Sequence, residues 1–167
     1  MTIVDRARVF ATAAHAAVGQ VRKYTFEPYI VHPADVVSIV KSVPHTDVML
    51  AAAWLHDVVE DTGVTIETIR AEFGVEVAEL VGWLTDVSRP EHGNRAHRKA
   101  LDRAHSAAAP AEAQTVKLAD LISNTRSIIA HDVSFAKTYL EEKRLLLEVM
   151  TKGDATLMAV ARKNVGE

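Results

Sequence analysis

The chain has 167 residues, of which 49% are hydrophobic and 25% charged, a composition typical of a globular protein rather than a disordered or low-complexity one. It has no cysteine, which excludes disulfide frameworks, thiolate metal sites and cysteine nucleophiles. The net charge of -3 argues against a protein held to DNA or RNA by bulk charge, whereas a small phosphorylated ligand needs only a local basic patch.

Glycine and proline are sparse and alanine is abundant, which favours helix over strand. In chain order, the predicted helices cover residues 3–18, 33–43, 47–60, 65–74, 75–87, 95–109, 111–130 and 134–150, with a last short helix after Gly153. Residues 20–31 are predicted to be irregular, and residues 88–94 to form a surface loop. No linker is long enough to divide the chain, so we expect a single compact all-α domain over residues 1–167.

No stretch of the sequence has the pattern of an export signal or a membrane span. The apolar run at 9–18 is interrupted by His15, and the run at 49–55 ends at His56. Both are far short of the ~20 apolar residues that a membrane-spanning helix requires. We therefore expect a cytoplasmic protein without a membrane partner.

Polar side chains follow directly on the apolar helix segment 51–55. His56, Asp57, Glu60 and Asp61 bring one imidazole and three carboxylates to its end. Residues four apart stack on a helix, so His56 would lie over Glu60 and Asp57 over Asp61. Three like charges repel, and a cation would offset them. The alternative is a solvated helix end with a hydrogen-bonded core histidine.

A second polar group forms a stripe on the helix predicted at 111–130. Lys117, Asp120, Asn124 and Ser127 recur at spacings of three and four. Such a stripe is usually the solvent face of an amphipathic helix. The apolar residues around it leave little of this helix suited to water, so a buried polar site is the other interpretation.

His32 is predicted to cap the helix that Pro33 opens, as a simple cap or as a metal ligand on a fixed backbone. With His56, Asp57 and Asp120 it gives two imidazoles and two carboxylates, which suit Mn²⁺, Fe²⁺, Co²⁺, Ni²⁺ or Zn²⁺. Spacing alone does not select these four residues from 8 histidines and 22 acidic residues. The other histidines are interpreted as surface or satisfied polar side chains: His15, His45, His92, His105 and His131.

Three strings, in order, resemble the HD superfamily of metal-dependent phosphohydrolases. They are EPYIVHP at 27–33, HDVVEDT at 56–62, and VKLAD at 116–120 followed by Asn124 and Arg126. Their combination is similar to the hydrolase domain of RelA/SpoT proteins and to the small stand-alone (p)ppGpp hydrolases. The resemblance covers about residues 3–150, and it implies an all-α HD-domain bundle. No synthetase-like region follows, so hydrolysis alone is expected.

The resemblance also implies roles for individual residues. One Mn²⁺, with other transition metals left open, would be held by His32, His56, Asp57 and Asp120. Glu60 and Asp61 would be the catalytic residues, activating the attacking water or protonating the leaving oxygen. Substrate binding would fall to four further residues: Arg22, Lys23, Asn124 and Ser127.

The implied reaction is hydrolysis of the 3′-pyrophosphate of ppGpp or pppGpp to GDP or GTP and pyrophosphate. Three departures from the family pattern bear on the substrate: Phe26 stands in place of a glycine, Leu121 in place of a basic residue, and Ser123 in place of histidine or tyrosine. They leave two alternatives, an HD phosphohydrolase for another nucleotide or phosphate ester, and a non-catalytic nucleotide-binding module. The expected partner is a small phosphorylated nucleotide, not a DNA or RNA polymer, and a homo-oligomer is left open.

Overall fold

The computed structural model describes residues 1–167, which form helices and no β-strand, as predicted. The helices are α1 (Ile3–Ala17), α2 (Val31–Lys41), α3 (Asp47–Leu55), α4 (Val58–Asp61), α5 (Ile66–Phe73), α6 (Val75–Leu84), α7 (Arg95–Ala108), α8 (Ala111–His131), α9 (Val133–Val149) and α10 (Ala155–Asn164). A 3₁₀ turn at Pro90–His92 lies in the predicted loop. None of these helices has both the length and the apolar character that a membrane crossing needs.

Side-chain caps set most of the helix starts, which is why the sequence predicts them closely. Thr2 caps α1 in a capping box with Asp5, whose carboxylate accepts from the Thr2 N–H. Thr65 accepts from the Thr68 N–H and opens α5, as predicted. Gly74 is the C-cap of that helix, and its φ of 91° favours glycine.

The prediction of one continuous helix over residues 47–60 is wrong. The α3 helix ends at Leu55, Asp57 has φ -101° and ψ -3°, and the single turn α4 follows. In an unbroken helix the Ala53 carbonyl would pair with the Asp57 N–H. Here that carbonyl accepts a hydrogen bond from the His56 imidazole at 2.7 Å, which competes with the helical pairing.

The prediction that His32 caps a helix opened by Pro33 is also wrong. The α2 helix begins at Val31, so His32 is its second residue and Pro33 its third. The first four N–H groups of a helix have no partner within the helix, so the missing N–H of Pro33 costs nothing there. This start places His32 inside the helix and buried rather than at its mouth.

The chain forms two compact units, and the first comprises Met1–Thr85. Its centre is α3, which packs against α1, α2 and α6. Every residue of α3 from Met49 to Leu55 is buried, because its alanines let the neighbouring helices approach closely. The polar residues that follow α3 therefore begin at the edge of a packed core.

The second unit comprises Asp86–Glu167, and in it α8 packs against α9 and α10. A buried carboxylate on α7 binds the backbone of the segment that precedes this helix. Asp102 accepts hydrogen bonds from the Val87 and Ser88 N–H groups at 3.0 and 2.8 Å. These bonds hold the segment after α6, which ends at Leu84 rather than at the predicted residue 87. One domain over residues 1–167 stays a prediction.

A tight hairpin-like turn joins α1 to α2. Val21 and Pro28 form an isolated antiparallel bridge, and the Arg22 N–H donates to the Glu27 carbonyl at 2.8 Å. Closing this turn puts Phe26 at φ 60°, the one non-glycine residue with positive φ. Its side chain is 75% exposed, so little packing offsets the strain of that backbone conformation.

We expect Phe26→Gly to raise the free energy of unfolding by about 1 kcal/mol, because glycine adopts this backbone conformation without strain. The measurement is urea denaturation followed by circular dichroism. Phe26→Ala is the matched control, since it removes the exposed ring but keeps the Cβ. Equal stability of the two variants would show that the backbone at residue 26 is not strained.

Candidate metal centre and active site

The break between α3 and α4 turns His56 and Asp57 out of the regular helix. His56 is 2% exposed, and its Nδ1 donates to the Ala53 carbonyl at 2.7 Å. A carbonyl can only accept, so a hydrogen lies on Nδ1, and in the neutral imidazole the lone pair is on Nε2. The His56 Nε2 lies 3.0 Å from the Asp57 Oδ2. Fixing the tautomer through the other ring nitrogen is typical of metal-binding histidines.

Three side chains converge on the same carboxylate oxygen. The Asp57 Oδ2 lies 3.7 Å from the His32 Nε2 and accepts a hydrogen bond from the Tyr29 hydroxyl at 2.6 Å. The rings of His32 and His56 have centroids 5.2 Å apart. The helix α2 thus supplies one imidazole, and the break after α3 supplies the second imidazole and the carboxylate.

The donor set fits a divalent transition metal. One ligand atom from each of His32, His56 and Asp57 lies within 4.8 Å of the others. Both histidines are buried and Asp57 is partly exposed, so the cluster has a rigid inner side and an open outer side. Imidazole and carboxylate ligands suit Mn²⁺, Fe²⁺ and Zn²⁺. The Tyr29 hydroxyl orients Asp57, as outer partners commonly orient metal ligands.

Asp120 lies in the second unit, in the middle of α8, and is buried. Two neighbours on the same helix face hold its carboxylate. The Asn124 amide donates to the Oδ1 at 2.8 Å, and the Lys117 ammonium lies 3.4 Å from the Oδ2. This part of the polar stripe is therefore not a solvated face. The three-residue cluster does not include Asp120, whose role as fourth ligand stays a prediction.

The two predicted catalytic carboxylates lie on the single turn α4, and both are exposed. The Asp61 Oδ2 accepts a hydrogen bond from the Gln20 amide at 3.0 Å. Partial desolvation by the surrounding protein atoms raises the pKa of the Asp61 carboxyl above its ordinary value, because it disfavours the charged form. The Gln20 hydrogen bond opposes this rise in pKa, the negative charge of Asp57 adds to it, and His15 and His56 lower it.

The predicted substrate residues fall in both units. In the first, Arg22 and Lys23 lie on the turn that joins α1 to α2. The Arg22 guanidinium carbon is 5.7 Å from the centre of the Tyr29 ring, and the Lys23 ammonium is 5.2 Å from the Tyr24 ring. These cation–π contacts orient both charges without neutralising them. In the second unit, the half-buried Ser127 lies on α8 one turn beyond Asn124.

A small charged cleft in the second unit was not predicted. Its lining comprises Asp86, Lys99, Asp102, Arg103, Ser106, Lys117, Glu142, Lys143 and Leu146. Burial, followed by the nearby positive charges of Lys117 and Lys99, lowers the pKa of Lys143 to about 8. The Lys143 ammonium also lies 4.9 Å from the centre of the Tyr139 ring. The cleft adds an ammonium whose charge is unusually easy to remove.

The sequence interpretation missed two residues that contact the predicted site. Tyr29 is part of the EPYIVHP string but was given no role, although its position three before His32 places both at the start of α2. The sequence predicts Gln20 only as the first residue of an irregular stretch. Its contact with Asp61 spans 41 residues, and no local pattern signals such a distance.

Comparison with known proteins agrees with this geometry. The chain belongs to the HD domain family, whose model matches residues 7–144. The class that the fold and the site define is therefore an all-α HD protein with a histidine–aspartate cluster that can hold a metal ion.

Individual relatives narrow the class. The chain is 37% identical over 131 residues to a probable guanosine-3′,5′-bis(diphosphate) 3′-pyrophosphohydrolase of Synechocystis sp., covering 77% of this chain and 17% of that protein. It is 38% identical over 104 residues to the guanosine-3′,5′-bis(diphosphate) 3′-pyrophosphohydrolase of Xenopus tropicalis, covering 60% of this chain and 56% of that one. The chain spans less than a fifth of the length of several of these curated relatives.

Two solved structures have the same fold. One is a metazoan orthologue of SpoT described as hydrolysing ppGpp, with a TM-score of 0.87, 26% identity, and coverage of 98% of this chain and 94% of that one. The other is a crystal structure from Listeria monocytogenes, with a TM-score of 0.68, 27% identity, and coverage of 84% and 97%. The all-α HD bundle predicted from the sequence is confirmed.

We expect His56→Ala and Asp57→Ala to abolish stoichiometric Mn²⁺ binding, because each removes a ligand. Loss of an outer partner of a metal ligand costs about 10–100-fold in affinity, so loss of a ligand costs at least as much. Titration calorimetry with MnCl₂ measures the effect. His45→Ala removes an exposed imidazole and is the matched control. Asp120→Ala tests the fourth ligand, and full Mn²⁺ affinity in that variant would remove Asp120 from the set.

Proposed function

We propose that this protein is a Mn²⁺-dependent hydrolase that removes the 3′-pyrophosphate of ppGpp or pppGpp and leaves GDP or GTP. The observation that carries the proposal is the convergence of His32 and His56 on the Asp57 carboxylate, one short turn before Glu60 and Asp61. The names of the Synechocystis and Xenopus relatives support the reaction. The proposal includes a cytoplasmic location and a small nucleotide as partner, rather than a nucleic acid polymer or a membrane.

The proposed ligands of the single divalent ion are His32, His56, Asp57 and Asp120. When bound, the ion lowers the pKa of a coordinated water and polarises a phosphoryl oxygen. The protein's contribution is to orient the ligands. The Ala53 carbonyl fixes the His56 tautomer and the Tyr29 hydroxyl fixes the Asp57 carboxylate. Asn124 and Lys117 hold the Asp120 carboxylate in the second unit.

Glu60 and Asp61 are proposed to move the protons of the reaction. In the proposed reaction a water oxygen bonds to the phosphorus next to the ribose, and the bond from this phosphorus to the 3′ oxygen breaks, which gives GDP and pyrophosphate. The water gives up a proton, and the departing 3′ oxygen gains one. A carboxylate near its pKa performs both tasks best, and the raised pKa of Asp61 moves this residue towards the working pH.

Binding of the nucleotide is assigned to two groups of residues. Arg22 and Lys23, held on the turn by aromatic rings, supply positive charge for phosphates or stack against the base. Asn124 and Ser127 on α8 supply polar groups for the base and the ribose. The Asn124 amide already donates to Asp120, so one of its hydrogens is committed to that carboxylate.

A second candidate is an HD phosphohydrolase with another nucleotide or phosphate ester as substrate. It is favoured by the residues that depart from the family pattern. Leu121 and Ser123 are uncharged and both are buried, so these two positions lack the basic and the aromatic or imidazole side chains of the family pattern. Phe26 lies exposed beside Arg22 and Lys23, where its ring can stack on any base. These features support weaker discrimination between bases than a dedicated guanine pocket provides.

We expect turnover of ppGpp with Mn²⁺, and a preference for ppGpp over its adenine counterpart below about 10⁴-fold in kcat/KM, the discrimination of a dedicated polar pocket. The experiment is a hydrolysis panel that includes ppGpp, pppGpp, GTP, dNTPs, NADPH and 2′,3′-cyclic nucleotides. Arg22→Ala with Lys23→Ala should weaken ppGpp binding. The control is Arg162→Ala with Lys163→Ala, another basic pair on α10. No turnover of ppGpp, with turnover of another ester, would favour the second candidate.

We expect Glu60→Gln and Asp61→Asn to keep stoichiometric Mn²⁺ and to lose about 10²–10⁴-fold in kcat, the usual range of general acid–base help. Metal content by mass spectrometry and steady-state kinetics separate the two effects. Glu67→Gln, at an exposed carboxylate on α5, is the control. Loss of the metal from the Asp61→Asn protein would make Asp61 a ligand instead.

A further inference from the structure

A chain of two hydrogen bonds leads from a buried histidine to Asp61. The His15 Nδ1 lies 2.7 Å from the Gln20 Oε1, and the Gln20 Nε2 lies 3.0 Å from the Asp61 Oδ2. An ionised carboxylate only accepts, so the Gln20 amide must donate to Asp61 and turn its oxygen to His15. The His15 Nδ1 then carries the hydrogen. The three side chains thus have one consistent direction of donation, which ends on Asp61.

Packing alone does not explain the imidazole of His15. This side chain is 1% exposed, and its ring centroid lies 4.7 Å from that of Tyr29. Its Nε2 is buried and has no hydrogen-bond partner. A buried polar atom without a partner costs about 1–3 kcal/mol, which an apolar side chain of similar size would avoid. The interaction that requires a nitrogen at this place is the hydrogen bond to Gln20.

The hydrogen bond from Gln20 constrains one oxygen of Asp61 and leaves the other to the reaction. Asp61 is the last residue of the four-residue helix α4, and its backbone N–H donates to the Asp57 carbonyl at 3.0 Å. So short a helix holds an exposed side chain weakly. The amide of Gln20 fixes the Oδ2, and because Asp61 is exposed its Oδ1 can face a water or a leaving oxygen.

The backbone holds Gln20 in turn. Its N–H donates to the His15 carbonyl at 3.1 Å, and its carbonyl accepts from the Tyr29 N–H at 3.2 Å. These two hydrogen bonds therefore fix the backbone of Gln20 to α1 on one side and to the segment before α2 on the other. A glutamine side chain normally loses considerable rotamer freedom on ordering, and contacts at both ends of the amide offset that loss.

We propose that Gln20 and His15 are positioning residues for Asp61: His15 orients the Gln20 amide, and the amide holds the Asp61 carboxylate for proton transfer. The inference rests on the proposed role of Asp61 in phosphoester hydrolysis. Neither Gln20 nor His15 touches the metal or the substrate in this assignment. Their removal therefore affects the rate of the chemical step rather than metal binding or substrate binding.

The test compares Gln20→Met and His15→Leu, which remove the two hydrogen bonds with similar side-chain volume, with His15→Asn. The Asn amide nitrogen can replace the Nδ1 as donor to Gln20. We expect the first two variants to lower kcat by up to about 10²-fold, the effect of misplacing a reacting group by about 1 Å. We expect KM and Mn²⁺ content to stay close to wild type, and His15→Asn to recover most of kcat.

Thr25→Ala is the control on the same turn, because Thr25 bonds Glu27 and not Asp61. Thermal unfolding must show that the compared variants are folded at the assay temperature. Wild-type kcat in Gln20→Met would overturn the proposal. So would a His15→Asn protein that is as slow as His15→Leu and equally stable.

A second measurement separates this proposal from the proposed function. Crystal structures of the wild type and of Gln20→Met need no substrate. We expect the Asp61 carboxylate to hold one position in the wild type, because Gln20 donates to its Oδ2, and to be displaced or spread over several positions in Gln20→Met. A carboxylate that keeps its wild-type position in Gln20→Met would overturn the positioning role. A wild type that hydrolyses no ppGpp, together with a displaced Asp61 in Gln20→Met, would reject the substrate and keep the role of Gln20.

Discussion

Three side chains contact the carboxylate of Asp57 at once, and the geometry of the candidate metal centre depends on these three contacts. Its Oδ2 faces two imidazoles and accepts from a tyrosine hydroxyl. In a continuous helix α3–α4 this residue would follow the helical periodicity. The break after Leu55 releases it, and the imidazole of His56 produces the break by taking the Ala53 carbonyl. A side chain proposed as a metal ligand thus also shapes the backbone that carries its neighbour.

The turn between α1 and α2 serves several parts of the site through one short segment. Its first residue, Gln20, reaches Asp61, and its last, Tyr29, reaches Asp57. Between them Arg22 stands against the Tyr29 ring, and Phe26 has the strained backbone conformation that closes the turn. A rigid turn of this kind lets one loop orient a proposed ligand and a proposed catalytic carboxylate together. Loops held on a packed scaffold commonly carry function in this way.

Local chemistry explains which parts of the fold could be predicted. Thr65 and Gly74 mark the ends of α5 because capping and a positive φ depend on single residues. Helical periodicity does not predict the break at His56, because the break depends on a side chain that competes with the backbone for the Ala53 carbonyl. The predicted start of α2 is too late, and His32 is therefore predicted outside the helix, because a proline is tolerated anywhere in the first helical turn.

The residues of the candidate site show the same difference between what a sequence pattern predicts and what long-range packing determines. His32, His56 and Asp57 were selected by their resemblance to a family pattern, and the structure brings them together. Spacing alone could not have selected them, because the ligands come from α2 and from the break after α3. The contact between Gln20 and Asp61 depends on how α4 lies against α1, and that packing cannot be read from either segment.

The lowered pKa of Lys143 has a chemical consequence. Near pH 8 a larger share of Lys143 than of an ordinary lysine is therefore a neutral amine, because an ordinary lysine has a pKa of about 10.4. Only the neutral amine is a nucleophile towards acylating reagents. The lowered pKa therefore favours reaction at Lys143 over reaction at an ordinary lysine side chain, provided that the reagent is small enough to enter the charged cleft of the second unit.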